Sequence, residues 1–241
     1  MINKFRFEQY LSSTPISFQR FILNRYLRFN KNKKIDKIKY SETISAFEEK
    51  KCIFIHIPKT AGISLSKTIF GDQIDTNHLS LRRYRLLFSD NDFHNYYKFT
   101  FIRNPWDKLF SCYRFLKKGG STAYHLNWKN NVLDQYEDFN DFVKCWINNK
   151  NIYSFSHFLP QYWFISLNAT KRDIDFIGRF ENLNKDFLTI REKLKINREL
   201  MHLNKSDSIK KKYTDFYNQE SIDIVSKVYK KDIDLFNYDF K

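Results

Sequence analysis

Residues 53–64 read IFIHIPKTAGIS. The apolar run Cys52–Ile57 stops at Pro58 and gives way to a lysine, a hydroxyl, two small residues and, at Ser64, a second hydroxyl. A short apolar run bounded by a turn signal reads as a buried parallel strand. Ile63, Leu65, Ile69 and Phe70 then suggest a helix that ends near Gly71. A strand that turns into a helix N-terminus presents backbone N–H groups and the positive end of the helix dipole, which together bind phosphate or sulfate. Ala61 and Gly62 let an anion approach the backbone closely. Lys59 adds a mobile charge, and Thr60 and Ser64 add hydroxyls. An ordinary β–α turn carrying a solvent lysine fits the same residues.

The turn is not a nucleotide P-loop of the form G-x-x-x-x-G-K-[ST]. Its lysine precedes the glycine, it has one glycine where that motif has two, and no Lys-Ser/Thr pair opens the helix. The second apolar run, Lys98–Ile102 (KFTFI), ends in Arg103 rather than in an acidic residue suited to Mg²⁺. A phosphate cradle without a metal is the expectation. Arg103 falls at the carboxyl end of a strand, where open α/β sheets bind ligands, and its guanidinium is able to grip a phosphate bidentately. Ser111, eight residues on, offers a hydroxyl. Arg103 paired with Asp107, and Ser111 facing solvent, is the alternative.

Further along, Trp106, Leu109, Phe110, Tyr113 and Leu116 recur at helical spacing, with Pro105 suited to the first turn. Helices are expected over Phe139–Ile147, Asn182–Leu194 and, as one long amphipathic element, Gln219–Phe236, with a third strand over Ile174–Phe180. Strands alternating with helices predict an α/β fold built on a mostly parallel central sheet flanked by helices. Residues 1–45 read as a basic helical extension carrying Phe18, Phe21, Ile22, Tyr26 and Leu27, and residues 46–241 as the main domain.

The chain has 241 residues, enough for one substantial domain. Its net charge of +15 is uneven: residues 1–120 carry 23 Lys/Arg against 10 Asp/Glu. A basic half points to an anionic ligand, a polyanion or a membrane surface, although abundant Lys, Asn, Ile and Phe also fit a general compositional bias. Cys52, Cys112 and Cys145 show neither disulfide nor metal spacing, which suits a reduced cytoplasmic protein. No signal-peptide core and no run of about 18 apolar residues is present, so no membrane span is expected.

Taken together, FIHIPKTAGIS and FIRNPWDKLFSCYRF (101–115) resemble the PAPS-dependent sulfotransferases. The likeness is to the carbohydrate branch with the heparan 2-O- and chondroitin-type enzymes and their bacterial relatives. HFLPQYWFI (157–165), DFIGRFENLNKDF (175–187), HLNKS (202–206) and the segment 212–240 continue the resemblance in order over about residues 50–240. It implies a P-loop-like fold and sulfuryl transfer from PAPS to a carbohydrate hydroxyl, without metal. It also implies that Lys59, Thr60, Ala61, Gly62, Ile63 and Ser64 hold the 5′-phosphosulfate, with Lys59 stabilising the leaving group. Arg103 and Ser111 would hold the 3′-phosphate, with Asn204 and Ser206 near the cofactor. The placement of His78, in DTNHLSLRRYRLLF, resembles that of the family's catalytic base. Arg82 is carried as a contact to an acidic acceptor, and His157 and Gln161 as pocket residues. By spacing alone, His78 is a loop histidine, His56 a packed strand residue, and Arg82, Arg83 and Arg85 a solvated face.

Other readings remain open. A nucleotide kinase lacks its GK[ST] signature. A polyanion-binding protein would use the basic half, but no nucleic-acid recognition motif is present. A degenerate sulfotransferase would bind PAP without turnover. Oligomeric state leaves no trace in the sequence.

Overall fold

A computed structural model of the chain describes residues 14–15, 17–19, 21, 41–72, 74, 78–166, 174–201 and 211–241. The chain forms two compact units built from discontinuous segments. The first contains residues 61–102 and 163–204 together with the chain up to Ile57, and the second contains residues 58–60, 103–162 and 205–241.

The first unit holds a parallel sheet of order β1-β2-β3: β1 (Cys52–Ile55), β2 (Tyr97–Ile102) and β3 (Phe176–Arg179). The apolar run of β1 is buried throughout, as a strand covered on both faces requires. Phe54 sits opposite Phe99 and Phe99 opposite Phe176, and the Thr100 hydroxyl donates to the Ile55 carbonyl at 2.7 Å. Gly178 is dictated by packing, because a Cβ there would lie 2.4 Å from the Phe101 ring.

Helices cover the sheet. Helix α1 (Ser41–Lys50) packs on β1 and buries Thr43 and Phe47, one turn apart. It runs through the boundary expected at residue 45. After β1 come α2 (Gly62–Phe70), α3 (Leu81–Leu87) and α4 (Asp90–Asn95). The last of these is capped at its N-terminus by the Ser89 hydroxyl, which accepts from the Asp92 N–H.

The second unit is mainly helical: α5 (Pro105–Lys117), α6 (Ala123–Asn131), α7 (Phe139–Trp146) and α8 (Gln161–Ile165), which begins in this unit. Back in the first unit, α9 (Leu183–Lys193) packs on β3 through Phe187 and Ile190. The chain then adds α10 (Gln219–Val228) and α11 (Lys230–Phe236) to the second unit. The apolar stripe of α5, with Trp106, Leu109, Phe110 and Leu116, joins Phe139, Phe142, Val143 and Trp146 of α7 and Val225 of α10 in one aromatic-rich core.

Three expected elements change. The first strand ends at Ile55, two residues early, and the third is trimmed at both ends. The single C-terminal helix is two, broken at Tyr229, whose buried hydroxyl donates to the Phe158 carbonyl at 2.7 Å. Of the N-terminal extension, residues 17–19 and 21 are helical with Phe18 and Phe21 exposed, while Ile22, Tyr26 and Leu27 lie outside the described residues.

Candidate active site

The chain leaves β1 at His56 and enters α2 at Gly62 through a turn with two left-handed residues that are not glycine, Lys59 (φ 68) and Ala61 (φ 65). Each costs about 1–2 kcal/mol, so the surroundings must hold the turn in place. Ala61 stands at the N-cap and makes no side-chain cap bond to α2. The helix start is thus left without the Ser, Thr, Asp or Asn that ordinarily satisfies its N–H groups. Thr60 and Ser64 are buried and Ile63 is half exposed. Gly62 has no room for a side chain: a Cβ there would fall 1.8 Å from His56 Cδ2.

Within the first unit, His56 is buried and its ring stacks on Phe54, with centroids 5.8 Å apart. His78, in the left-handed region (φ 50), brings its ring to 4.2 Å from that of His56. His78 Nδ1 lies 3.1 Å from the His56 carbonyl oxygen. A carbonyl only accepts, so Nδ1 is the protonated nitrogen and Nε2 keeps its lone pair, the tautomer a general base needs. Arg82 does not lie on a solvated face. It is buried, and donates from Nε to the Ser166 carbonyl at 2.6 Å and from Nη2 to the Trp163 carbonyl at 3.4 Å, at the C-terminal end of α8. Arg83 and Arg85 are half-buried.

Within the second unit, Lys59 is half-buried with its Nζ 4.1 Å from the centre of the Phe115 ring. No carboxylate pairs with it among the described residues. Burial lowers its pKa, the neighbouring Arg103 charge lowers it further, and Cys112 opposes them. Arg103 closes a bidentate pair with Asp107, Nε to Oδ2 at 2.7 Å and Nη2 to Oδ1 at 2.8 Å, so the pairing open at the sequence level is realised. Its Nη1 also donates to the Lys59 carbonyl at 3.0 Å. Gln161 is fully buried and clasps the Arg103 backbone, accepting from its N–H at 2.9 Å and donating to its carbonyl at 2.7 Å. Ser111 is half-buried on α5, and its hydroxyl has no partner among the described residues. His157 is buried, stacks on Phe115 at 5.5 Å, and offers its carbonyl to Lys108 Nζ at 3.0 Å and Cys112 Sγ at 3.1 Å. Asn204 and Ser206 lie outside the described residues.

Three residues join this neighbourhood that sequence reasoning did not single out. His125, on α6, packs its ring 5.3 Å from Phe115 and 4.9 Å from His157. Its Nδ1 accepts from the Ser121 N–H at 3.1 Å, so in the neutral ring Nε2 carries the proton. Burial and then the Lys59 charge lower its pKa. Lys108 is buried and spans the His157 and Leu159 carbonyls, and burial lowers its pKa. Asp232, also buried, accepts from the Gln161 N–H at 2.6 Å and the Tyr162 N–H at 2.8 Å. No local pattern announces any of them, because their bonds run to backbone groups or across dozens of residues.

A three-stranded parallel sheet flanked by helices defines an α/β protein. The chain matches the sulfotransferase family over residues 42–239, through both units, and belongs to that family. Its members transfer sulfuryl groups and generally use PAPS as donor. The chain is also 36% identical over 109 residues to an uncharacterized protein of Archaeoglobus fulgidus, covering 45% of this chain and 75% of that protein. No solved structure matches it. Among the described residues no helix is long and apolar enough to cross a membrane.

Proposed function

We propose that the protein transfers a sulfuryl group from PAPS to a hydroxyl of a carbohydrate acceptor, releasing PAP. The observation that carries this reading is Lys59: a half-buried ammonium without a carboxylate partner among the described residues, in the turn that opens α2 with no side-chain cap. A cation in that setting suits an anion supplied from outside the chain. The fit extends to Gly62, where a side chain would collide with His56.

Bound PAPS supplies an activated sulfuryl group joined to its 5′-phosphate. Thr60, Ala61, Gly62, Ile63 and Ser64 hold that phosphate through backbone N–H groups and hydroxyls. Lys59 keeps its charge where the departing phosphate oxygen gains negative charge. Arg103 and Ser111 select the 3′-phosphate, and the family resemblance adds Asn204 and Ser206 as cofactor residues. His78 Nε2 takes the proton of the acceptor hydroxyl. Positioning and charge supply the catalysis, as in the related phosphoryl transfers.

A carbohydrate acceptor follows the branch that the motifs resemble. Tyr124, 62% exposed on α6 and stacked on Phe155 at 5.3 Å, offers an aromatic face of the kind sugars stack on. The free thiols Cys52, Cys112 and Cys145 favour a cytoplasmic setting. Incubation with labelled PAPS and a panel of polysaccharides, lipopolysaccharide and small glycosides tests the reading. Label is expected on a sugar hydroxyl. Label on phenols or proteins alone would overturn the acceptor class, and no transfer at all would overturn the activity.

A further inference from the structure

Arg103 in this structure reaches the turn itself. Its Nη1 donates to the Lys59 carbonyl at 3.0 Å, at a residue whose left-handed backbone (φ 68) is disfavoured for a lysine. Arg103 is in turn fixed at both ends. Asp107 accepts from the Nε and Nη2 N–H groups along one edge of the guanidinium, at 2.7 and 2.8 Å. Gln161 takes both backbone groups of Arg103, at 2.9 and 2.7 Å, and this uses both ends of its amide. Gln161 is held by Asp232, which accepts the first backbone N–H groups of α8 at 2.6 and 2.8 Å. The chain of contacts is continuous from Asp232 on α11 to the Lys59 carbonyl. Every link runs through a buried or half-buried group, where a missing partner is costly.

We propose that Gln161 and Asp232 are positioning residues for sulfuryl transfer: they fix Arg103 as a strut that holds the Lys59 turn in its left-handed form, so that Arg103 sets the place of the Lys59 ammonium independently of any contact to a 3′-phosphate. Its catalytic consequence rests on the sulfotransferase reading; its structural consequence does not. Gln161→Glu keeps the acceptor for the Arg103 N–H but removes the donor to the Arg103 carbonyl. Asp232→Asn replaces one accepting carboxylate oxygen with an amide NH₂, which donates and cannot accept from α8. Arg103→Lys keeps the charge and loses the fork.

The experiment has two arms. In the first, amide exchange is followed on the protein without any nucleotide. Peptides covering residues 58–64 should exchange roughly tenfold faster in each variant, while peptides from α7 keep the rate of the parent. Unchanged exchange at 58–64 in folded Arg103→Lys overturns the proposal. So does faster exchange everywhere, which would mean plain destabilisation; Arg103→Lys, at a half-buried position, guards against a Gln161 variant that fails to fold. In the second arm, turnover is measured with PAPS and with adenosine 5′-phosphosulfate, which lacks the 3′-phosphate. The strut predicts that Arg103→Lys and Gln161→Glu lower kcat by a similar factor with both donors, and that Gln161→Glu adds nothing further on Arg103→Ala. A loss confined to PAPS would make Arg103 a 3′-phosphate ligand only. A parent protein that binds no PAP defeats the sulfotransferase reading, and the exchange arm still decides the strut.

Discussion

His78 Nδ1 is held 3.1 Å from the carbonyl oxygen of His56, the residue that directly follows β1. The contact fixes the imidazole tautomer and leaves Nε2 as the basic nitrogen. His78→Ala is expected to lower kcat by about 10²–10⁴-fold while PAP affinity, measured by calorimetry, stays that of the parent. Full turnover in this variant would remove His78 from the chemistry.

Gly62 is expected to be intolerant of a single methyl group. A Cβ at that position meets His56 Cδ2 at 1.8 Å and Nε2 at 2.0 Å, and overpacking of this kind costs about 1–3 kcal/mol. Gly62→Ala should therefore melt several degrees lower, by roughly 2–4 °C per kcal/mol. The double change His56→Ala with Gly62→Ala should recover most of the loss, since it removes the ring and keeps the His56 carbonyl that His78 uses. A Gly62→Ala protein as stable as the parent would mean the His56 ring is not packed there.

Lys59 and His125 are coupled by charge in the second unit. Burial first, and then the Lys59 charge, lower the His125 pKa. In an NMR titration His125 should stay neutral below the ordinary histidine value of 6.5, and Lys59→Met should move its midpoint upward. The same variant should lose about 10²–10³-fold in turnover if the ammonium stabilises the leaving phosphate. An unmoved midpoint would show that Lys59 does not act on His125.

Asp232 makes a prediction about stability. Burial raises its pKa from 3.8 to about 6, against the pull of its two backbone hydrogen bonds and of Lys108 and Lys231. A folded-state pKa above the unfolded one means the folded protein binds the proton more tightly. The stabilisation is complete below 3.8 and is lost as pH rises through about 6. The carboxylate thus costs about 3 kcal/mol at neutral pH relative to acid, at 1.36 kcal/mol for each unit. Denaturant unfolding from pH 4 to 7 should show this decline in the parent and a flatter profile in Asp232→Asn. Equal slopes would show that the carboxylate is already charged when folded at low pH.

The parts of this protein that were legible in its sequence are those written in local pattern. The apolar run before Pro58, the helical spacing from Trp106 to Leu116 and the position of Arg103 at a strand end are short-range signals, and β1, α5 and the turn follow from them. The clasp of Gln161 on Arg103 spans 58 residues, and that of Asp232 on Gln161 spans 71. Both end on backbone groups, which every residue carries, so no residue pattern announces them. Arg82 read as a solvated charge because an arginine on a helix usually is one; its long stem instead carries the guanidinium to carbonyls at the end of α8. The break at Tyr229 was hidden for a related reason, since the helical period runs on through it while the buried hydroxyl answers to the Phe158 carbonyl.

One titration decides whether the protein holds a 3′-phosphate: PAP against 5′-AMP, by calorimetry, on the unmodified protein. Charge-assisted bonds from Arg103 and Ser111 to a 3′-phosphate should make PAP tighter by about 10–100-fold. Equal affinities for the two nucleotides, or no binding of PAP, would contradict it.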